Sequence, residues 1–307
     1  MDENPKTPII KNIVISGGAV WGFSAYGVIK HACQQKYIDL KNIKSYYGTS
    51  VGTMLSVLFA LDYDFDIMDD FLIKRPWYTI FEKGLLSLME SYEKMGLYTI
   101  ESMKQIFMPL FKGKDIDIDI TLREFYEKNN IDIYFYTIDI NEYKIVELCH
   151  KTHPDWKVIE AVYASSAVPI AFQPLIKDNK FYCDGAFINN FPLYNCMQNE
   201  DDHDSIFSIN LYGPQDNINI NNINVNSTLF EYVFHIMTNY MLNKVKESDI
   251  CNIKNKIIIQ KQNITINDLF LSFSNCEKRQ LLIQLGIDQM AEFLQSLDTN
   301  PTPTLYT

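Results

Sequence analysis

Ser45-Tyr46-Tyr47-Gly48-Thr49-Ser50-Val51-Gly52-Thr53-Met54-Leu55-Ser56-Val57-Leu58 carries the pattern Gly-x-Ser-x-Gly between a short aromatic run and an apolar segment. That context is strand, sharp turn, helix. A serine at such a turn must accept strained backbone, and its neighbours must be small. Gly48 and Gly52, two residues to either side of Ser50, let strand and helix approach with no Cβ between them. The hydroxyl then stands above the sheet at the start of a helix, where unpaired N–H groups favour negative charge. Ser50 is the candidate nucleophile.

Upstream, the β-branched run Asn12-Ile13-Val14-Ile15-Ser16 reads as a buried first strand that ends in Gly17-Gly18. The chain continues through Ala19-Val20-Trp21-Gly22 into a helix reaching about Gln35. A glycine turn between strand and helix points to anion binding by backbone N–H groups. The dinucleotide fingerprint is not met, because the second glycine is adjacent to the first, and no Gly-Lys-Ser/Thr follows to make a P-loop. An oxyanion hole needs two or three donors near the nucleophile, which Gly17, Gly18 and Ala19 are placed to supply.

With 307 residues, of which 47% are apolar, the chain can bury the core of one α/β domain. Its net charge of −11 argues against nucleic acid and against electrostatic attraction to anionic lipid, so membrane contact must be apolar. No basic segment followed by an apolar run opens the sequence, and no uninterrupted apolar stretch is long enough to span a bilayer. The expectation is a cytoplasmic protein, with peripheral contact to membranes, whose six cysteines are free thiols. No metal-ligand spacing is present, and no cofactor is expected.

Downstream of Ser50, residues 76–89 read as a core-packing helix pair, with a lid over a lipid chain as the alternative. Tyr98 to Phe111 has helical spacing with Pro109 near its end. Asp115 to Ile120 alternates strictly and reads as a half-exposed strand or an extended loop. Thr121-Leu122-Arg123-Glu124 has the form of a capping box. Ile131–Ile140 and Lys144–Cys149 read as a strand and its hairpin partner. A helix is expected from Pro154 to Ser165, leading into the small-residue run Ala164-Ser165-Ser166-Ala167-Val168-Pro169, where the chain passes something closely. Phe181-Tyr182-Cys183 then delivers Asp184 onto a Gly185-Ala186 turn, and Phe207–Leu211 forms a further strand. Beyond Pro214, residues 216–226 read as a linker, Phe230–Lys246 as a helix, Lys256–Ile259 as an edge strand and Cys276–Leu297 as a final helix.

Four of these stretches, in this order, resemble the patatin-like phospholipases: Ser16 to Gly22, Gly48 to Gly52, Ala164 to Pro169, and Asp184-Gly185-Ala186 with Asn189-Asn190-Phe191-Pro192. The resemblance covers roughly residues 10–213. It implies a three-layer α/β/α catalytic domain with a mainly parallel sheet; residues 214–307, outside the resemblance, read as a mainly helical C-terminal extension packed on the same domain. It also implies a Ser50–Asp184 dyad without histidine, and an oxyanion hole at Gly17, Gly18 and Ala19. The expected activity is release of fatty acid from phospholipid or lysophospholipid through an acyl-enzyme, with transient contact at a membrane surface. A need for a protein activator stays open. The alternatives are a lipid-binding or interaction protein on the same fold, and a neutral-lipid or ester hydrolase or acyltransferase.

The chain departs from the family pattern at Ala19, where a third glycine is usual, at Trp21, where a basic residue is common, and at Ala186. Ala19 is tolerable only if its backbone stays out of glycine-only conformations. Loss of a basic residue at Trp21 removes a positive charge near the developing anion. None of His31, His150, His153, His203 and His235 lies in a triad context.

Overall fold

The computed structural model describes residues 9–81, 94–211, 251–259 and 272–299, with residues 227, 232, 233, 235–237 and 240. The strands are β1 (Asn12–Ile15), β2 (Ser45–Thr49), β3 (Gly96–Tyr98), β4 (Asp132–Asp139), β5 (Lys144–Leu148), β6 (Ile170–Phe172), β7 (Leu175–Lys177), β8 (Lys180–Asp184), β9 (Ile206–Asn210) and β10 (Asn255–Ile258). β10, β9, β1, β2 and β4 lie side by side in that order, each parallel to the next. β3 and β6 form a separate parallel pair.

Strand alternation builds two cores. Ile13, Ile15, Tyr46, Ile133 and Phe135 face the larger apolar cluster. Val14, Tyr47, Tyr134 and Tyr136 face a smaller one with Phe191, Leu193 and Cys196. Both sheet faces are therefore covered, and this is why β1 is apolar without interruption. Helices α1 (Gly22–Gln34), α2 (Val51–Ala60), α4 (Ile100–Gly113) and α6 (Val158–Ser166) line the first core, whereas α7 (Leu193–Asn199) lines the second. The short helices α3 (Phe65–Asp69) and α5 (Leu122–Asn129) lie in the connections.

β4 is the organising strand, because three others share it. Phe135 and Tyr136 each pair with a residue of β2 and a residue of β5, while Thr137, Ile138 and Asp139 each pair with one of β5 and one of β8. A strand has two edges, so β2 and β8 occupy the same one, end to end. β2 runs parallel to β4 and stops with Thr49 opposite Tyr136. β8 runs antiparallel and stops with Asp184 opposite Thr137. Their C-terminal ends meet at this seam.

The last helix, α8 (Cys276–Thr299), crosses α1 in backbone contact. A Cβ on Gly286 would run into the Ser24 carbonyl, and one on Gly27 into the Ile283 carbonyl. The Ser24 hydroxyl fastens the crossing by donating to the Leu282 carbonyl at 2.8 Å. At the start of α8, buried Arg279 donates to the carbonyls of Ile73, Arg75, Ser272 and Phe273.

Several local expectations are corrected. Of the two readings for Asp115–Ile120 the loop holds and the strand does not; Ile116 is buried and Asp119 pairs with Lys104 and Lys157, which accounts for the alternation. Pro154–Trp156 is a turn, and α6 begins only at Val158. The carbonyls of Pro154 and Trp156 instead accept the Arg123 and Leu122 N–H groups at the start of α5. α4 continues through Pro109, which cannot donate to the Gln105 carbonyl. Arg75 donates to that carbonyl, and to that of Ile106, both at 2.6 Å.

Trp77–Thr79 makes one 3-10 turn in place of a helix. The rest of the expected helix pair from residue 82 to 89, the linker at 216–226 and much of the helix from 230 to 246 lie outside the described residues. The capping box at Thr121 and Glu124, the β4–β5 hairpin and the edge strand at β10 form as read. The six cysteines are free thiols, of which Cys149, Cys183 and Cys196 are buried. Among the described residues, no helix is long and apolar enough to cross a membrane.

The α1–α8 crossing yields a test. Gly286→Ala must force the backbones apart and is expected to cost about 1–3 kcal/mol, as overpacking typically does. Leu281→Ala, on the exposed side of the same helix, is expected to change stability by less than about 0.5 kcal/mol. The urea midpoint of each variant measures the difference.

Candidate active site

At the end of β2 the chain must leave the sheet and enter α2 within one residue. Ser50 makes that turn with φ 54° and ψ −126°, a conformation that side-chain-bearing residues rarely adopt. The flanking glycines are a steric requirement. A Cβ on Gly48 would lie 2.7 Å from the Gly52 carbonyl carbon, and one on Gly52 would strike the Ile15 carbonyl. All three polar groups of Ser50 are engaged. Its hydroxyl donates to Asp184 Oδ2 at 2.6 Å. Its N–H donates to Ser165 Oγ at 3.0 Å. Its carbonyl accepts the Thr53 N–H at 2.9 Å and the Thr53 hydroxyl at 2.7 Å.

Asp184 reaches Ser50 because β8 ends where β2 ends. Its N–H donates to the Ala167 carbonyl at 3.0 Å, and its Oδ1 accepts the Ala186 N–H at 2.8 Å. Gly185 lies against the Tyr136 carbonyl, where a Cβ has no room. The carboxylate is 1% exposed, and no cation is among its partners. Desolvation raises its pKa to about 6, against the opposing effect of the bonds from Ser50 and Ala186. Ser50 is 8% exposed, the less buried of the two. No histidine is a partner of either residue. His150, for example, lies 3.1 Å from Asp132 and stacks on Tyr126.

The loop after β1 lies beside Ser50: a Cβ on Gly17 would stand 3.1 Å from Ser50 Cβ. It is clamped from both sides. Ser16 donates its N–H to Ile209 and its hydroxyl accepts the Leu211 N–H, while Gly17 donates its N–H to the Asn190 carbonyl at 3.0 Å. Gly17 is therefore not an available donor, unlike the expectation for it. The N–H groups of Gly18 and Ala19 have no protein acceptor among the described residues. Ala19 is in the left-handed region, which favours glycine but admits other residues. It sits at φ 47°, where the side chain costs about 1–2 kcal/mol. Trp21 is 3% exposed and packs in the larger core, so this position serves packing here.

Two contributions escaped the sequence reading. The small-residue run holds both partners of the pair, through the Ser165 hydroxyl on the Ser50 N–H and the Ala167 carbonyl on the Asp184 N–H. The Asn189-Asn190 segment is tied to the elbow, since Thr49 donates its hydroxyl to the Asn189 carbonyl at 2.8 Å. Close passage at 164–169 was legible; which atom does the holding was not.

Residues 13–197 match the family described as patatin-like phospholipase. An uncharacterized protein of Acanthamoeba polyphaga mimivirus, R571, is 27% identical over 184 residues, 60% of this chain and 60% of its own length. The probable lipid hydrolase 463L of Invertebrate iridescent virus 6 is 27% identical over 189 residues, 61% of this chain and 63% of its own. The chain thus spans about three-fifths of these curated relatives. Among solved structures, VipD from Legionella pneumophila aligns with a TM-score of 0.51 at 16% identity, covering 94% of this chain and 67% of that one, which speaks to the fold alone. On the family match, which takes in both Ser50 and Asp184, the chain belongs to the patatin-like phospholipase family.

Proposed function

We propose that this protein is a serine acyl hydrolase that releases fatty acid from phospholipid or lysophospholipid through a Ser50–Asp184 dyad. The observation that carries the reading is the 2.6 Å bond from the Ser50 hydroxyl to a buried carboxylate, in a member of a phospholipase family. The description of 463L as a probable lipid hydrolase supports the same class.

A serine hydroxyl needs a base within hydrogen-bond reach to become a nucleophile. Asp184 takes the Ser50 proton as Oγ bonds to the ester carbonyl carbon, and the carbonyl π electrons move onto oxygen. The oxyanion is met by the Gly18 and Ala19 N–H groups and by the N-terminal end of α2. Gly17 positions this loop and is not one of its donors. No residue from Ser16 to Gly22 carries a charge, so the loop's contribution comes from N–H dipoles, about 3–4 kcal/mol for one good donor. Collapse of the tetrahedral species breaks the ester C–O bond, and Asp184 returns the proton to the departing alcohol. Water then attacks the acyl-enzyme and gives its proton to Asp184. The free fatty acid leaves as Ser50 recovers that proton. With a net charge of −11, contact with the lipid surface that presents the ester is made through apolar groups.

Fluorophosphonate labelling, in the presence of phospholipid vesicles, tests the nucleophile. Labelling of the native chain, its abolition in Ser50→Ala and a loss on the order of 10²–10⁴-fold in Asp184→Asn are expected. A well-folded native chain that stays unlabelled would count decisively against the hydrolase. Fatty-acid release from phospholipid, lysophospholipid and triacylglycerol then separates the substrate classes.

The same base sets the pH dependence. Asp184 accepts a proton only as carboxylate, and its pKa is about 6. Labelling is expected to rise with pH up to about 6 and then level off, falling about tenfold per unit below it. A limb centred near the ordinary carboxylate value of about 4 would mean that the base is solvated.

A further inference from the structure

We infer that Ser165 is a positioning residue for the Ser50 nucleophile: its hydroxyl bridges the Ser50 N–H and the Tyr136 carbonyl across the seam where β2 and β8 meet on β4. This rests on the hydrolase reading and extends it to a residue that touches neither substrate nor proton.

Ser165 is fully buried near the end of α6. A helical serine commonly donates back to the carbonyl four residues earlier. This one donates outward, to Tyr136 at 2.6 Å, and accepts the Ser50 N–H at 3.0 Å. The Tyr136 carbonyl faces the seam, because Gly185 lies directly against it. The hydroxyl is thus set between the last paired position of β2 and the strand that also registers Asp184. Ser50 holds φ 54° at the point where the ladder ends, and strain of that kind persists only when neighbours over-determine it. Its N–H is its sole backbone donor, and Ser165 takes it. That bond also withdraws the Ser50 N–H from the oxyanion, leaving the Gly18 and Ala19 N–H groups as the loop's donors.

Without the bridge, the Ser50 backbone loses the contact that sets its height above β4, and Oγ no longer meets both Asp184 and the substrate carbonyl. A displacement near 1 Å costs up to about 100-fold in rate. Binding surfaces away from the seam are unchanged, so the loss falls on the chemical step.

The test is the concentration dependence of fluorophosphonate labelling. Ser165→Ala is expected to lower the maximal labelling rate on the order of 10- to 100-fold while the half-saturating probe concentration stays the same. Ser165→Thr keeps the hydroxyl and should restore the rate to within a few-fold. Ser165→Cys, nearly isosteric but a weak donor, should behave like Ala and carries the test if Ala does not fold. Ser166→Ala removes a buried hydroxyl that has no partner among the described residues and should label at the native rate. Labelling of Ser165→Ala at the full rate, a Thr variant no faster than Ala, or an equal loss in Ser166→Ala would each overturn the inference while the hydrolase stands. Absence of Ser50-dependent labelling in the native chain would remove both.

Discussion

A hydroxyl and a carboxylate held 2.6 Å apart inside the protein make the demand that the surrounding structure answers. The carboxylate has lost its water and has gained no cation, only two donors, the Ser50 hydroxyl and the Ala186 N–H. Burial raises its pKa by about two units, worth about 3 kcal/mol at 1.4 kcal/mol per unit. The sign follows from linkage. A group with a raised folded-state pKa binds its proton more tightly when folded, so the penalty is absent in acid, grows as pH rises from about 4 to about 6, and is complete at neutrality. Strain at Ser50 and Ala19 adds to it. The site is a place where stability is given up.

The offset comes from packing laid on both sheet faces and from two backbone-level clamps. α8 closes on α1 through Gly27 and Gly286, so the chain's last described helix touches the helix that follows the loop after β1. Arg279 collects the carbonyls of Ile73 and Arg75 on one side and of Ser272 and Phe273 on the other. A buried guanidinium satisfied only by carbonyls stabilises little by itself; its use is to fix where two chain segments meet. Arg75 does the same for the carbonyl that Pro109 leaves without a donor. These contacts are remote from Ser50, yet they brace the helices against which the elbow rests.

How much of this was legible depends on whether the cause was local. Ser50 was, because the steric need for glycine on both sides is written at fixed spacing. β1 and the β4–β5 hairpin were, because burial on two faces and a tight turn leave composition and period behind. Asp184 was legible only through the order of four separate stretches, since an aspartate before glycine is ordinarily a turn former. Ser165 and Ser166 are chemically identical neighbours; only the path of β4 tells which one reaches Ser50. The helix through Pro109 was legible from its spacing, but the donor that serves the Gln105 carbonyl, Arg75, lies some thirty residues away and was not. Pro154–Trp156 misled because its carbonyls serve another helix. The positive φ of Ala19 left no mark in the sequence, where a third glycine would have signalled it.

The shared edge of β4 also bears on the order in which the protein assembles. Residues 45–49 and 182–184 pair with one strand from opposite directions, so the seam cannot form until segments some 135 positions apart in sequence have been brought together. Loop closure on that scale is slow and comes late. A ribosome-bound or half-folded chain that already has β1, β2 and the loop between them holds Ser50 as an ordinary, unactivated hydroxyl. The carboxylate that pairs with it arrives only with β8, by which time the sheet that confines both is built. The Ser50–Asp184 pair, and with it the proposed reactivity toward esters, is thereby made a property of the finished domain and withheld from its precursors.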